Sequence, residues 1–285
     1  MPTLLSSAAS ANRPRRLAEA ERTMKTIAKF FHEISPRILK LARESRTKTG
    51  IVNQKVNTEH SVDFATETDV AMEKLITQAI REKFPGDAIL AEEESSQTAL
   101  DSVGRLWIID PICGTSNFSR GLPLFVSNIA LAEKGKIIAS CVVDHMFGKY
   151  FWSVGNGVYE NDKHANTKKK TRGTIIDIDV GALISAPQGI KNRYAEFTKH
   201  IIRETDISLV TLNSSSSFLY VALGIYDAFV SPYIHAWDIS ASSLLIEKTG
   251  GIITDFEGKP RTLASHNGVA TRDPKLHSTL LKLLS

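Results

Sequence analysis

Three apolar runs in this 285-residue sequence end abruptly in carboxylates: "AILAEE" in Glu92 and Glu93, "LWIID" in Asp110 and "IHAWD" in Asp238. A single acid at a strand end is ordinarily a solvated surface group. Three such ends gathered at one edge would instead build an oxygen-rich site for a hard divalent cation, because Mg²⁺ and Mn²⁺ take carboxylate and carbonyl ligands. After Asp110, Pro111 is expected to stop the strand ladder and leave the Ile112 carbonyl aimed away from it. Gly114-Thr115-Ser116-Asn117 then reads as a turn opening a short helix, whose first amides and small hydroxyls suit phosphate oxygens. A cation cluster beside an anion cradle is the arrangement for metal-assisted transfer of a phosphoryl group to water. The plain alternative for "CGTSN" is a turn with a helix cap. Cys113, a thiol inside this hard-ligand stretch, fits neither description.

The elements that would hold these residues follow from hydrophobic periodicity. Residues 18–45 read as an amphipathic helix, with Met24, Ile27, Ala28, Phe31 and Ile34 on one stripe and Pro36 placed to kink or divide it. Residues 46–60 are polar and read as a mobile loop. "SVDFATETD" leads into a second helix over 68–84, which ends at Pro85-Gly86. From 87 to 160 the pattern alternates as strands, with Gly-containing turns and a hairpin tip at Asn161-Asp162. After 175 helix and strand mix: strands in "DISLVTLN", "DAFVSP" and "GIITDF", helices over 214–224 and 238–249, and a terminal helix from about 274. This order predicts an α+β fold of stacked layers rather than a parallel doubly wound sheet. The expected organisation is a disordered tail over 1–17 and one unit over 18–285. Its half from 18 to 175 carries the main metal motifs, and a second half spans 176–285.

Composition narrows the function classes. Thirty-five basic against 31 acidic residues is a mild excess, and the run Lys168-Lys169-Lys170 reads as a solvated loop without the aromatic interleaving of a nucleic-acid surface. Two cysteines give no disulfide framework and suit a reducing, cytoplasmic setting. No stretch approaches a membrane span. The acid-free opening "MPTLLSSAASANRPRRLA" admits a transit peptide as the alternative to a disordered tail. Nucleotide loops of the Rossmann or Walker type, zinc-type histidine spacing and a Ser-His-Asp order are all missing from the sequence.

"AILAEEES", "WIIDPICGTSNF" and "AWDISASSLLIEKTGG", joined by "GNGVYEND" and "ALGIYDAFV", together resemble the inositol monophosphatase family of metal-dependent, lithium-sensitive sugar phosphatases. The family patterns are G-E-E, W-x-[IV]-D-P-[IL]-D-G-T-x-N-[FY] and W-D-x-A-[AG]-x-x-[IL]-[IVL]-x-E-A-G-G, and spacing and order agree from about residue 61 to 270. The resemblance implies a layered αβαβα sandwich, a homodimer, and attack on a small phosphorylated substrate by a metal-activated water. The inositol 1-phosphate type leads; fructose 1,6-bisphosphate, 3′-phosphoadenosine phosphates and histidinol phosphate are alternatives among relatives. Glu92 matches the glutamate on the first metal, Asp110 the aspartate bridging two metals, and Ile112 the residue whose carbonyl ligates. Asp238, after Trp237, matches the acid closing the second metal site beside the substrate. Gly114, Thr115 and Ser116 stand where the family holds phosphate, with Ser214 near the pocket. Asp69 matches the acid that works with Thr115 to orient water, and Glu93 supports the shell. Mg²⁺ is the implied cofactor, with Mn²⁺ or Zn²⁺ as alternatives.

The departures from the pattern are as informative. Cys113 replaces a family aspartate that ligates the second metal, and a neutral thiol offers Mg²⁺ little. Four accounts stand side by side: a low-activity phosphatase with fewer metals, a softer ion held by a thiolate, a degenerate binding or regulatory relative, or an introduced change. Oxidation of this thiol is a further, weaker suggestion. Ser231 stands where inositol-preferring members place a glutamate for ring hydroxyls. "NSSSSF" replaces R-S-x-G-[ST]-A, and Ser240 and Ser242 stand where Ala and Gly are usual. His235 reads as a packing residue. Asp63 reads equally as a helper acid or as a solvated loop residue.

Overall fold

The computed structural model describes residues 13–45, 51–54, 64–93, 104–168 and 172–285. Helix α1 (Arg13–Glu44) runs unbroken with Pro36 inside it, so the proline neither divides it nor ends it. The helix also starts inside the expected tail; residues 1–12 lie outside the described residues. Most of the expected 46–60 loop lies outside them too, yet its centre is a strand: β1 (Ile51–Gln54) pairs antiparallel with β2 (Phe64–Thr66). Asp63, Lys169 and Lys170 are likewise not described, and Lys168 is exposed, as expected of a solvated loop. Helix α2 (Glu67–Lys83) begins at Thr66, where the Thr66 and Asp69 side chains cap one another's backbone amides.

A seven-stranded sheet follows, in sequence order: β3 (Ala88–Ala91), β4 (Arg105–Cys113), β5 (Val126–Glu133), β6 (Lys136–Asp144), β7 (Lys149–Ser153), β8 (Tyr159–Glu160) and β9 (Lys163–His164). Only β3 and β4 run parallel; the remaining neighbours form antiparallel hairpins, and Asn161 turns the last one with a positive φ of 50°. Helix α3 (Thr115–Phe118) leaves the end of β4. The second sheet has the order β11-β10-β12-β14-β13, built from β10 (Ile175–Ile178), β11 (Ser208–Val210), β12 (Ala228–Ser231), β13 (Ile252–Thr254) and β14 (Gly268–Thr271). Helices α4 (Gln188–Glu204), α5 (Ser216–Ala222), α6 (Ala236–Lys248) and α7 (Pro274–Leu284), with a short 3₁₀ turn at Gly181–Ile184, complete the described elements. Periodicity alone had not located β10, α4 or β14.

Alternation in β4 shows how the layers stack. Trp107 and Ile109 point to one face, packing with Ile27, Phe31 and Ile34 of α1 and Met72 and Ile76 of α2. Leu106 and Ile108 point to the other, against Phe218 of α5 and Leu245 of α6, with Phe229 of the second sheet in the same cluster. The far face of the second sheet, Ile176, Ala228 and Val269, is covered by Tyr194 and Phe197 of α4 and Leu280 of α7. The result is helix, sheet, helix, sheet, helix, the expected αβαβα sandwich.

The proline of β4 gives one correction. Pro111 does not stop the ladder: β4 continues to Cys113, and the register against β5 slips by one residue, from Asp110 opposite Asn128 to Cys113 opposite Val126. A residue without an N–H is tolerated because the slip is a bulge, where a ladder bond is already missing. The Pro111 carbonyl is taken up instead by the Ser127 hydroxyl at 2.6 Å.

Candidate active site

The bulge is what aims the residues between Asp110 and Thr115. Gly114 caps α3 at φ 109°, a left-handed conformation that side chains rarely adopt. A Cβ there would also lie 2.9 Å from the Leu124 carbonyl and 3.2 Å from Ser214 Cβ, so the position needs glycine twice over. Asn117 then clamps α3 in place, donating to the carbonyls of Leu124 and Leu212 at 2.8 Å each. The serine run has a matching task. Ser214 donates to the Cys113 carbonyl at 2.9 Å and the Ser215 amide donates to Cys113 Sγ at 3.3 Å. Asn128 of β5 ties Ser215 (3.0 Å) to the Asp238 carbonyl (3.2 Å), joining the starts of α5 and α6 to the first sheet.

Asp110, Cys113 and Asp238 converge so that one ligand atom from each lies within 4.8 Å of the others. Cys113 Sγ is 3.8 Å from Asp238 Oδ1. Asp110 is fully buried, and neither carboxylate oxygen meets an N–H or O–H donor among the described residues. Its carboxyl is pushed well above the usual range, first by burial, then by the facing Glu92 and Asp238 charges, while the Cys113 thiol pulls the other way. The same burial, with Asp110 and Asp238 opposite, raises the Cys113 thiol well above its usual value, only partly countered by the Ser215 hydroxyl and amide. An orphaned buried carboxylate facing two more acids is costly unless a cation neutralises them. The donor set therefore fits a bound divalent ion, with Cys113 as its one soft member.

A second acid pair adjoins this cluster. Thr115 Oγ1 lies 2.9 Å from Asp69 Oδ1 and 3.0 Å from the Ile112 carbonyl. Asp69 in turn accepts from the Thr66 amide at 2.9 Å and from the Thr66 hydroxyl. Asp238 Oδ2 accepts from the His235 amide at 2.6 Å, fixing the carboxylate at the first turn of α6. His235 itself stacks on Trp237, centroids 4.5 Å apart.

These groups line a cavity of about 190 Å³ together with Asp179, Asn213, Ser214 and Tyr233. Every residue singled out from the sequence as a ligand or phosphate contact, Glu92, Asp110, Ile112, Cys113, Gly114, Thr115, Ser116, Ser214 and Asp238, borders it. Asp69 reaches it through Thr115. Sequence reasoning missed Glu73, which is buried in α2 and accepts the Glu93 amide at 2.8 Å. The signal was present: Glu73 follows Asp69 by four residues, on the same helix face. It also missed Asp179, for which no pattern in the sequence pointed inward, while Asn213 opens the "NSSSSF" stretch that the family comparison had marked beside the pocket.

Comparison with known proteins agrees with this geometry. Residues 23–285 match the inositol monophosphatase family. The chain is 31% identical to the Nus factor SuhB of Pseudomonas aeruginosa over 75% of its own length and 80% of that protein. It is 30% identical to an inositol monophosphatase of Dictyostelium discoideum, covering 88% of this chain and 91% of the relative. Its fold superposes on an IMPase of Thermotoga maritima with a TM-score of 0.75 at 25% identity, covering 90% and 96% of the two chains. With the motifs in order, the layers stacked as expected and the match spanning nearly the whole chain, this protein belongs to the inositol monophosphatase family.

Proposed function

We propose that this chain is a divalent-metal-dependent phosphomonoesterase acting on a small phosphorylated polyol or sugar, of which inositol 1-phosphate is the leading type. The observation that carries this reading is the buried, unpartnered Asp110 carboxylate facing Glu92 and Asp238. A cavity lined by acids and, among the described residues, by no lysine or arginine cannot hold a phosphate ester unless cations stand between. Glu92, Asp110, the Ile112 carbonyl and Asp238 would hold Mg²⁺, with Mn²⁺ or Zn²⁺ favoured where Cys113 takes part. When bound, the ion supplies Lewis-acid stabilisation of the phosphoryl oxygens and lowers the pKa of water.

The chain's own residues do the rest. Gly114 to Ser116 present helix-start amides, which have no intrahelical carbonyl, to the phosphate oxygens. The Asp69 carboxylate accepts the Thr115 hydroxyl proton, so that Thr115 Oγ1 offers its lone pairs to the attacking water and turns that water's own oxygen toward phosphorus. The new P–O bond forms as the opposite ester P–O bond breaks, the attacking water gives up a proton, and the departing oxygen takes up a proton from solvent and leaves as the alcohol. The family's homodimer and a cytoplasmic setting belong to the same proposal; among the described residues no helix is long and apolar enough to cross a membrane.

Cys113 at a ligand position favours a second reading, a catalytically weak relative that binds phosphorylated ligands or a partner protein. A phosphate-release screen over sugar phosphates with Mg²⁺, Mn²⁺ and Zn²⁺, with and without Li⁺, separates the two. Metal-dependent release inhibited by Li⁺ supports the enzyme. No release under any ion, with the esters still binding in calorimetry, moves the assignment to the binding reading.

A further inference from the structure

The phosphate half of the cavity is accounted for; the half that would meet the alcohol is not. Asp179 borders it from just beyond the end of β10. Its amide donates to the Val230 carbonyl at 3.0 Å, which continues the β10–β12 pairing and sets the residue beside Ser231. Its carboxylate accepts from the Ser231 hydroxyl at 3.0 Å through Oδ2 and from the Ala182 amide at 3.1 Å through Oδ1. The turn that carries it is pinned from outside, because Gly181 packs so closely on Asn213 that a Cβ would overlap the Asn213 side chain. A carboxylate offers about four acceptor sites, and the Ser231 hydrogen is also within reach of the Tyr233 carbonyl at 3.1 Å. One hydroxyl hydrogen cannot serve both acceptors, so Asp179, which also meets the Gly181 amide, keeps at least one of its roughly four acceptor sites beside the cavity it borders.

Resting on the phosphomonoesterase reading, we propose that Asp179 is a specificity-determining residue that accepts hydrogen bonds from the alcohol half of the ester, supplying from β10 the carboxylate that Ser231 lacks on β12. The ligand chemistry follows. The alcohol carries hydroxyl or ammonium donors and no second phosphate, because the described lining holds the carboxylates of Glu92, Asp110, Asp179 and Asp238 and no lysine or arginine, the Arg261 charge acting on Asp238 from outside that lining. A second phosphate would lie against Asp179 with nothing to neutralise it. A cavity of about 190 Å³ is also small beside the roughly 300 Å³ at which ligand pockets usually begin, which suits a compact alcohol.

The test is Asp179→Asn, with Asp179→Glu as the charge-retaining variant, assayed with Mg²⁺ on inositol 1-phosphate, histidinol phosphate, fructose 1,6-bisphosphate and phenyl phosphate, which has no donor. The readout is a ratio, so a general loss from misfolding cancels. In Asp179→Asn the kcat/KM ratio of inositol 1-phosphate to phenyl phosphate falls about tenfold, the size of one hydrogen bond to a charged group, mostly through KM. Histidinol phosphate falls further if ammonium is the donor that matters, less if hydroxyl is. The bisphosphate gains relative to inositol 1-phosphate, and Asp179→Glu keeps part of the wild-type ratio. A ratio unchanged by Asp179→Asn leaves Asp179 as no more than the cap of its own turn and overturns the proposal. If wild type hydrolyses none of the four, the enzyme reading fails separately, and the same ratio taken from calorimetric affinities decides for Asp179.

Discussion

Thr115 and Asp69 stand 46 positions apart in the chain, on different elements, and meet at 2.9 Å. The cap of α2 fixes the acid and the bulge of β4 delivers the hydroxyl. If this pair orients water, Asp69→Asn keeps the shape but loses the negative acceptor. We expect kcat to fall by roughly 100-fold or more, the usual worth of a positioned proton acceptor, with a much smaller change in KM. Steady-state kinetics under saturating Mg²⁺ check this. A fall confined to KM would assign the pair to binding instead.

Cys113 stands 3.8 Å from Asp238. Cys113→Asp adds a hard oxygen ligand to the cluster, and its effect on metal affinity should be about 10- to 100-fold, with Mg²⁺-dependent turnover rising alongside. Calorimetry with Mg²⁺ and phosphate release measure the two parts. Iodoacetamide labelling of wild-type Cys113 that slows on adding Zn²⁺ identifies the sulfur as a ligand, and labelling indifferent to metal counts against it.

Gly114→Ala forces a side chain into a left-handed position and a Cβ to within 2.9 Å of the Leu124 carbonyl. The expected loss is on the order of 1–3 kcal/mol of stability, visible as a lowered melting temperature. Metal-dependent activity should suffer more than the melting shift explains, since the strained turn carries the phosphate-facing amides.

Asp177 provides a pH signature away from the metal cluster. It is buried in β10, one oxygen accepts from Ser217 at 2.6 Å, and burial lifts its pKa from 3.8 to about 7 despite that bond, with the Asp179 charge adding to the rise. Between those values the folded chain holds a proton that the unfolded chain has released. Its contribution to stability is complete below pH 3.8, declines across the window and is gone above about pH 7. The gap corresponds to about 4 kcal/mol at most. Asp177→Asn should therefore flatten the fall in melting temperature between pH 4 and 8 and raise stability most at the alkaline end. Parallel curves for the two proteins would refute the assignment.

Much of this molecule was legible in one dimension. The carboxylates of Glu92, Asp110 and Asp238 announced themselves because each follows an apolar run that has to be a buried strand or the approach to a helix. The layer count followed from helices, a meander and an alternating tail. Not every element was legible: β10, β14 and the 17-residue α4 were not located, and residues 13–17 extend α1 although their sequence reads as a tail.

Local chemistry in the sequence thus determined which groups could bind a cation and which turn could face a phosphate, since those properties belong to residue types and their immediate neighbours. Only the tertiary structure decided that Pro111 sits in a bulge rather than ending its strand, that Ser214 and Ser215 brace the Cys113 loop, and that Asp179 borders the cavity with its carboxylate on Ser231. Each of these depends on a partner strand or helix remote in sequence, and hydrogen bonds across that distance leave no periodic trace in the chain.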